Sequence, residues 1–190
     1  MTFAIRPAVA ADLPAISSIY AHYVRSSTST WAYPEEPLPD FSALFAAHGS
    51  RLPWLVAECA GPAPTLAGYA YVAPFRARAG WRFVGEHSIY VDPAWQRRGV
   101  GRALLRALLA AAAAAPLCAL VGVVSCHPES GAGAASLALH EGEGFSRAGG
   151  LPRAGVKAGL FLDCVLLSRQ LRDVEVVAAE EAAKRAAGAP

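Results

Sequence analysis

The chain has 190 residues, 17 lysines and arginines against 15 aspartates and glutamates for a formal charge of +2, and a hydrophobic fraction of 54%. That length suits one well-buried core and is short for two independent domains, and the apolar content argues against a disordered chain. So slight a charge excludes nucleic acid as the expected partner: no lysine cluster supplies the stripe that phosphate backbones need, and the arginines are local, at 76–82, 97–106 and 147–153.

The start, MTFAIRPA, carries no long apolar segment and does not read as a secretory signal. Ile5 opens a short strand. AADLPAISSIYAHYV then spaces Leu13, Ile16, Ile19, Tyr20 and Tyr23 as a helix, with Asp12 expected as its N-cap and Pro14 in its first turn. RSSTSTWAYPEEPLPD is a proline-rich loop too long to be idle in a compact domain, and loops of this kind often cover binding sites. A short helix is expected around Phe41–Ala47. Leu52–Glu58 and Leu66–Ala73 read as strands of a hairpin about the turn material CAGPAPT, and PFRARAG leads to a third strand, Trp81–Val91.

Val100–Ala115 is expected as a helix with Leu104, Leu105, Leu108 and Leu109 toward the core. The uncharged stretch Ala107–Val124 approaches the length of a membrane span, but Pro116 interrupts it, and a helix followed by a buried strand at Leu117–Val124 accounts for it better. SCHPESGAGA reads as a loop, ASLALHEGE as a short helix and GLFLDCVLLSRQL as the last strand. This order is mixed α/β: an antiparallel meander followed by a strand-helix-strand crossover. The expected units are one domain over 1–172 and an alanine- and glutamate-rich tail over 173–190. The tail carries helical pairs Glu180 with Lys184 and Glu181 with Arg185, and reads as a frayed or docked surface helix.

Cys59, Cys118, Cys126 and Cys164 stand far apart in apolar settings with no C-x-x-C pair, as free thiols of a cytoplasmic protein do. No metal is expected: His127 beside Cys126 has no further ligand at a useful spacing.

WQRRGVGR places two glycines among three arginines where a helix begins. Amides at a helix start lack intrahelical acceptors, and the helix dipole adds positive charge there, so a turn stripped of side chains can wrap a diphosphate. Gly99 and Gly101 let the main chain approach; Arg97, Arg98 and Arg102 add charge. Neither standard nucleotide loop is present, and a diphosphate held without the lysine of an ATP loop suggests coenzyme A. Just upstream, Glu86 lies inside an apolar strand. The residues alone leave two readings of it: a base with a raised pKa in a cleft, or a carboxylate paired with Arg82 or another arginine. His87 is a competing base, but alternation sends neighbouring side chains to opposite faces, so one of the two faces the cleft.

VDPAWQRRGVGRALL resembles the acetyl-CoA signature of the GNAT acyltransferase superfamily. PFRARAGWRFVGEHSIYVDP, SLALHEGEGF and GVKAGLFLD resemble its phosphinothricin (methionine sulfoximine) N-acetyltransferase branch, over about Ile5–Leu171. The resemblance implies a mostly antiparallel central sheet flanked by helices, with a splayed pair of central strands. It implies transfer of an acetyl group from acetyl-CoA to the amine of a small amino-acid-like substrate. Acetyl transfer to another amine, such as a peptide N-terminus or an aminoglycoside, and a non-catalytic acyl-CoA sensor are the alternatives.

Residue by residue, the resemblance makes Glu86 the catalytic base. His140, which on its own reads as a structural histidine, becomes the proton donor to the leaving thiolate or a coenzyme contact. Ile89, Tyr90 and Val91 join Arg97, Arg98, Gly99, Val100, Gly101 and Arg102 in holding the coenzyme, with the Val91 N–H toward the oxyanion. Arg78, assisted by Arg76, is expected on the substrate carboxylate, and Trp31 and Phe161 on the substrate pocket wall. Trp81 is a candidate for the same wall, and for it and Phe161 ordinary core is an equally good reading. Lys157 completes an anion site or is simply solvated. Gly133 departs from the family pattern, which has a coenzyme-contacting asparagine there. A homodimer is carried over as an expectation, with neither nucleic acid nor membrane as partner.

Overall fold

The structure, a computed structural model, describes residues 2–61 and 65–187, with only the backbone of Arg185. The centre of the CAGPAPT turn, the expected Glu181–Arg185 pairing and residues 188–190 lie outside the described residues. Seven strands form one sheet in the order β1-β2-β3-β4-β5-β7-β6. In chain order the elements are β1 (Phe3–Pro7), α1 (Leu13–Ser26), α2 (Phe41–His48), β2 (Trp54–Cys59), β3 (Thr65–Pro74) and β4 (Val84–Val91). There follow α3 (Val100–Ala114), β5 (Ala119–Cys126), α4 (Ala134–Gly142), β6 (Ser146–Lys157), β7 (Leu160–Gln170) and α5 (Val174–Ala186).

Each face of the sheet has its own apolar layer. On one, Leu104, Leu105 and Leu108 of α3 are fully buried against Ala57, Ala67 and Val72 of β2 and β3. On the other, Ile16 and Ile19 of α1 and Phe41 of α2 cover Trp54, Val56 and Tyr69. The strand pairs are antiparallel except β4 with β5, which the α3 crossover makes parallel. That parallel junction is short: Val84–Glu86 pair with Ala119–Val121, and beyond Glu86 the two strands part.

Several expectations shift. Asp12 precedes α1 but does not cap it; its carboxylate takes two bonds from Arg6, at 2.7 and 2.9 Å, and one from the Val9 N–H at 2.8 Å. The Arg6 bond is what holds Asp12 below the usual carboxylate range. Ala79–Trp81 form a short helical turn, so β4 starts at Val84 and not at Trp81. Strand β6 was not expected at all. The stretch Ala107–Val124 divides between α3 and β5, and among the described residues no helix is long and apolar enough to cross a membrane.

The tail is docked. Val177 of α5 is 1% exposed and packs with Phe83 and Cys118, while Glu181 meets Arg82 at 3.2 Å and Glu180 pairs with Arg172. At ~0.8 kcal/mol per buried methylene-sized group, Val177→Ala is expected to cost about 1–2 kcal/mol. Thermal unfolding should register this as a loss of a few degrees; an unchanged midpoint would mean that α5 does not stay on the body in solution.

Candidate active site

A cavity of about 630 Å³ opens where β4 and β5 part, between Tyr20 and Tyr23 of α1, the turn before α3, and Ser136 and His140 of α4. A smaller hollow of about 380 Å³, beside Arg106, Glu143 and Arg169, contains none of the expected site residues.

Hydrogen-bond alternation decides which backbone groups face the gap. Phe75 N–H donates to the Val84 carbonyl at 3.2 Å and Asp92 N–H to the Ala67 carbonyl at 2.9 Å, so the even-numbered residues of β4 bond to β3. His87, Ile89 and Val91 therefore turn their amides and carbonyls toward the gap. The Val91 carbonyl is already taken by the Tyr23 hydroxyl, at 2.5 Å, which in turn accepts from Gln96 Nε2 at 3.0 Å. Tyr90, expected beside Ile89 and Val91, lines the same cavity, while its backbone bonds β3 and its ring packs with Tyr20 and Tyr69 on the α1 face.

The turn before α3 is wound left-handed twice, at Arg97 (φ 61°) and Gly99 (φ 82°), and α3 begins with no side-chain cap. Left-handed residues alternating in a turn gather successive amides into a concavity suited to an anion. A Cβ at Gly99 would meet nothing within 4 Å, so glycine is required there by the backbone angle and not by crowding. Arg97, Gly99, Val100 and Gly101 line the cavity. The other two arginines turn elsewhere: Arg98 lies 5.2 Å from the Trp95 ring, and Arg102 reaches Glu143 at 3.5 Å, beside Arg106 at 2.8 Å.

Glu86, the last β4 residue paired to β5, is half-buried in the cavity wall. Burial raises its pKa, and the charge of Arg76 partly offsets this. Arg82, the rival partner, is engaged by Glu181 of α5. Arg76 lies over the Phe75 ring at 4.0 Å and Arg78 stands at the head of the Ala79–Trp81 turn; both are exposed and neither lines the cavity, though the charge of Arg76 reaches Glu86.

The long loop forms the opposite wall and is fastened to the far end of the sheet. The Ser125 hydroxyl bonds the Thr28 carbonyl, the Tyr33 hydroxyl bonds the Val156 carbonyl, and Lys157 Nζ donates to the Thr30 carbonyl at 2.8 Å. Lys157 is thus neither solvated nor in the cavity wall; it is buried, which lowers its pKa, and it holds the loop. Trp31 lines the cavity with its ring against Gly155, where a Cβ would lie 2.7 Å from Trp31 Cζ3. Phe161 and Trp81 do not reach the cavity. The first is half exposed beside the Arg153 guanidinium on the β6–β7 hairpin, and the second stands edge-on to Phe75.

On the opposite face of β4 from Glu86, His87 meets His140 of α4, with their Nε2 atoms 2.8 Å apart. His140 Nδ1 lies 2.7 Å from the Ser136 carbonyl. Burial, then the neighbouring His140, push the His87 pKa down to about 3; burial also lowers that of His140. Sequence reasoning had both histidines but not their meeting, nor the Tyr23–Gln96 bond that occupies the Val91 carbonyl. The position of His87 two residues before Ile89 and four before Val91 was the available signal that it shares their face.

Gly133 opens α4 at φ 82°, and a Cβ there would lie 2.4 Å from the Ser125 carbonyl oxygen and 2.8 Å from Cys126 Sγ. His127 Nδ1 accepts from the Ser130 N–H at 3.2 Å. Among the described residues no group of three or more His, Cys, Asp or Glu side chains is placed to hold a metal ion.

Residues 16–145 match the model of the acetyltransferase (GNAT) family. Phosphinothricin N-acetyltransferase of Alcaligenes faecalis is 42% identical over 164 residues, 84% of this chain and 78% of that protein. The L-methionine sulfoximine/L-methionine sulfone acetyltransferase of Pseudomonas aeruginosa is 36% identical over 90% of this chain and 96% of its own length. Among solved structures, a phosphinothricin acetyltransferase from Sinorhizobium meliloti in complex with acetyl-CoA superposes with a TM-score of 0.78 at 32% identity, covering 90% of each chain. A Salmonella typhimurium acetyltransferase with acetyl-CoA gives 0.77 at 33%, covering 91% of this chain and 96% of that one. With the family match running from α1 through the turn before α3 to the end of α4, the chain belongs to the acetyltransferase (GNAT) family and is an acetyl-CoA-dependent N-acetyltransferase.

Proposed function

We propose that the enzyme passes an acetyl group directly from acetyl-CoA to the amine of a small amino-acid-like acceptor of the phosphinothricin or methionine sulfoximine type, with Glu86 as base. One observation carries this reading: a half-buried carboxylate with a raised pKa stands in the cavity wall at the point where β4 and β5 separate. An amino-acid amine is mostly protonated near neutral pH, and a carboxylate so placed takes its proton, directly or through water, before the free amine attacks the thioester.

The other residues divide the work. Backbone groups of Ile89 pair with the pantetheine arm as an added strand would, and the N–H of Val91, whose carbonyl is held by Tyr23, faces the oxyanion. Amides from Gly99 to Gly101 and the α3 dipole hold the diphosphate, with Arg97 beside them. Arg76 takes the acceptor's carboxylate in preference to Arg78, because its charge already acts on Glu86. Trp31 walls the acceptor side. The reading extends to a cytoplasmic enzyme, supported by four free buried cysteines, and to a homodimer. For the latter, the support is the outermost hairpin β6–β7, which exposes Leu151, Val156 and Phe161.

The test is release of coenzyme A across a panel of phosphinothricin, methionine sulfoximine, methionine sulfone, free amino acids, peptides and an aminoglycoside. Saturable turnover is expected with an amino-acid analogue. Loss of a charge-assisted bond should make Arg76→Ala raise the acceptor KM by roughly ten- to a hundred-fold, well beyond Arg78→Ala. Acetyl-CoA binding with no turnover on any amine would leave a sensor; turnover on peptides alone would replace the acceptor class.

A further inference from the structure

The meeting of His87 and His140 fixes where their protons lie. A carbonyl only accepts, so His140 Nδ1, 2.7 Å from the Ser136 oxygen, carries the hydrogen. A neutral ring then has a bare lone pair at Nε2, and the group 2.8 Å away that fills it is His87 Nε2–H. This leaves His87 Nδ1 as the lone-pair nitrogen, buried with no hydrogen-bond partner, while the Val121 backbone favours the protonated form of His87.

Room for the two rings is built into the sheet: a Cβ on Gly122 would lie 3.0 Å from His87 Cε1 and 3.4 Å from His140 Nε2. Phe145 closes the third side, its ring centroid 5.1 and 5.2 Å from the two imidazoles. Both histidines are about 95% buried, at 5% and 6% exposure. Charged neighbours on the surrounding elements are turned away or paired. β4 sends Glu86 to its other face, α4 holds Glu141 on Arg147, the turn after α4 holds Glu143 on Arg106, and β5 contributes Gly122 and backbone. Of the described residues, the titratable group acting on His87 is His140.

We propose that His87 is a positioning residue for acetyl transfer: its Nε2–H fixes His140 in the Nδ1–H tautomer and fills that ring's remaining lone pair, so the two imidazoles take up a proton as a pair. The inference rests on the acetyl-transfer reading above and on the expectation from the family resemblance that His140, which lines the cavity, donates a proton to the leaving thiolate or contacts the coenzyme. His140 so held has no proton of its own at Nε2. It gains one only when a further proton enters the pair: His87 passes its Nε2–H to His140 Nε2 and takes the incoming proton on its own Nδ1, which leaves His87 neutral and His140 doubly protonated. The pair therefore has titrations that belong to neither residue alone.

Nitrogen NMR of the histidine-labelled enzyme without ligands reads the tautomers directly. His140 with hydrogen on Nδ1 and His87 with hydrogen on Nε2 are expected; His140 with hydrogen on Nε2 at neutral pH overturns the proposal. In His87→Phe, which keeps a ring against Phe145 and removes the donor, the His140 midpoint should rise by about one pH unit or more. Its kcat should fall roughly ten- to a hundred-fold through misplacement of His140, with the KM for acetyl-CoA little changed. A His140 midpoint and a kcat profile in the same place as in the parent enzyme would reduce His87 to a packing residue. The tautomer measurement is made on the resting protein, so it stands even if this variant does not fold. It also separates the two ideas: an inactive amine panel sinks the acceptor reading and leaves the tautomers readable.

Discussion

Glu86→Gln is expected to lower kcat/KM for the acceptor by about 10²–10⁴-fold, the span typical of a lost general base, while acetyl-CoA still binds and the fold persists. The replacement keeps the size and polarity of the side chain and removes only its ability to take a proton. The pH dependence has a definite sign. Burial disfavours the charged carboxylate and raises its pKa, and the base works only when ionised. Acceptor kcat/KM should therefore climb as pH rises through a midpoint above the ordinary carboxylate range. Arg76 stabilises the ionised form, so Arg76→Ala should move that limb to higher pH. Linkage gives a second readout: a carboxyl whose pKa is higher folded than unfolded contributes stability at low pH and loses it as pH rises through the folded value. At neutral pH Glu86→Gln should accordingly unfold no earlier than the parent. Activity retained within a few-fold would remove Glu86 from the chemistry.

How much of this was readable beforehand depended on whether a feature is local. The buried strand β5 announced itself as an uninterrupted apolar run, displaced by two residues from Leu117–Val124 to Ala119–Cys126. The crossover helix was correct almost to the residue because its leucines recur at helical spacing. Strand β6 was invisible: SRAGGLPRAGVK alternates nothing, eleven of its twelve residues are at least partly exposed, and its register slips twice against β7. What makes it a strand is β7 beside it, which no window of β6 reports. In the site, strand alternation put Glu86 and His87 on opposite faces of β4, but the expectation that only one faces the cleft failed: both line the cavity, which opens where β4 and β5 part. That Arg82 belongs to Glu181, that Arg78 stands outside the cavity wall, and that His87 has His140 as partner depend on how distant elements dock.

The loop before α4 gives the sharpest structural prediction, since the family resemblance calls for an asparagine where this chain has Gly133. Restoring it should harm the enzyme. Asparagine tolerates a left-handed backbone better than most residues, so φ 82° alone is a modest obstacle. The obstacle is space: any Cβ there falls 2.4 Å from the Ser125 carbonyl oxygen and 3.1 Å from the Cys126 Cα, which are backbone atoms of the central strand and cannot swing aside. Relief requires moving the start of α4 off β5, and with it Ser136 and His140. Overpacking of this kind with a displaced backbone costs about 2–4 kcal/mol, or roughly 5–15 °C in a chain of this size. Gly131→Asn is the control, because its backbone is equally left-handed, at φ 72°, yet nothing lies within 4 Å of its Cβ. It should unfold within about two degrees of the parent. Gly133→Asn should also raise the KM for acetyl-CoA, since the residues it displaces line the cavity proposed to hold the coenzyme. Equal unfolding midpoints for the two variants, or tighter acetyl-CoA binding by Gly133→Asn, would show that α4 begins differently from the geometry described.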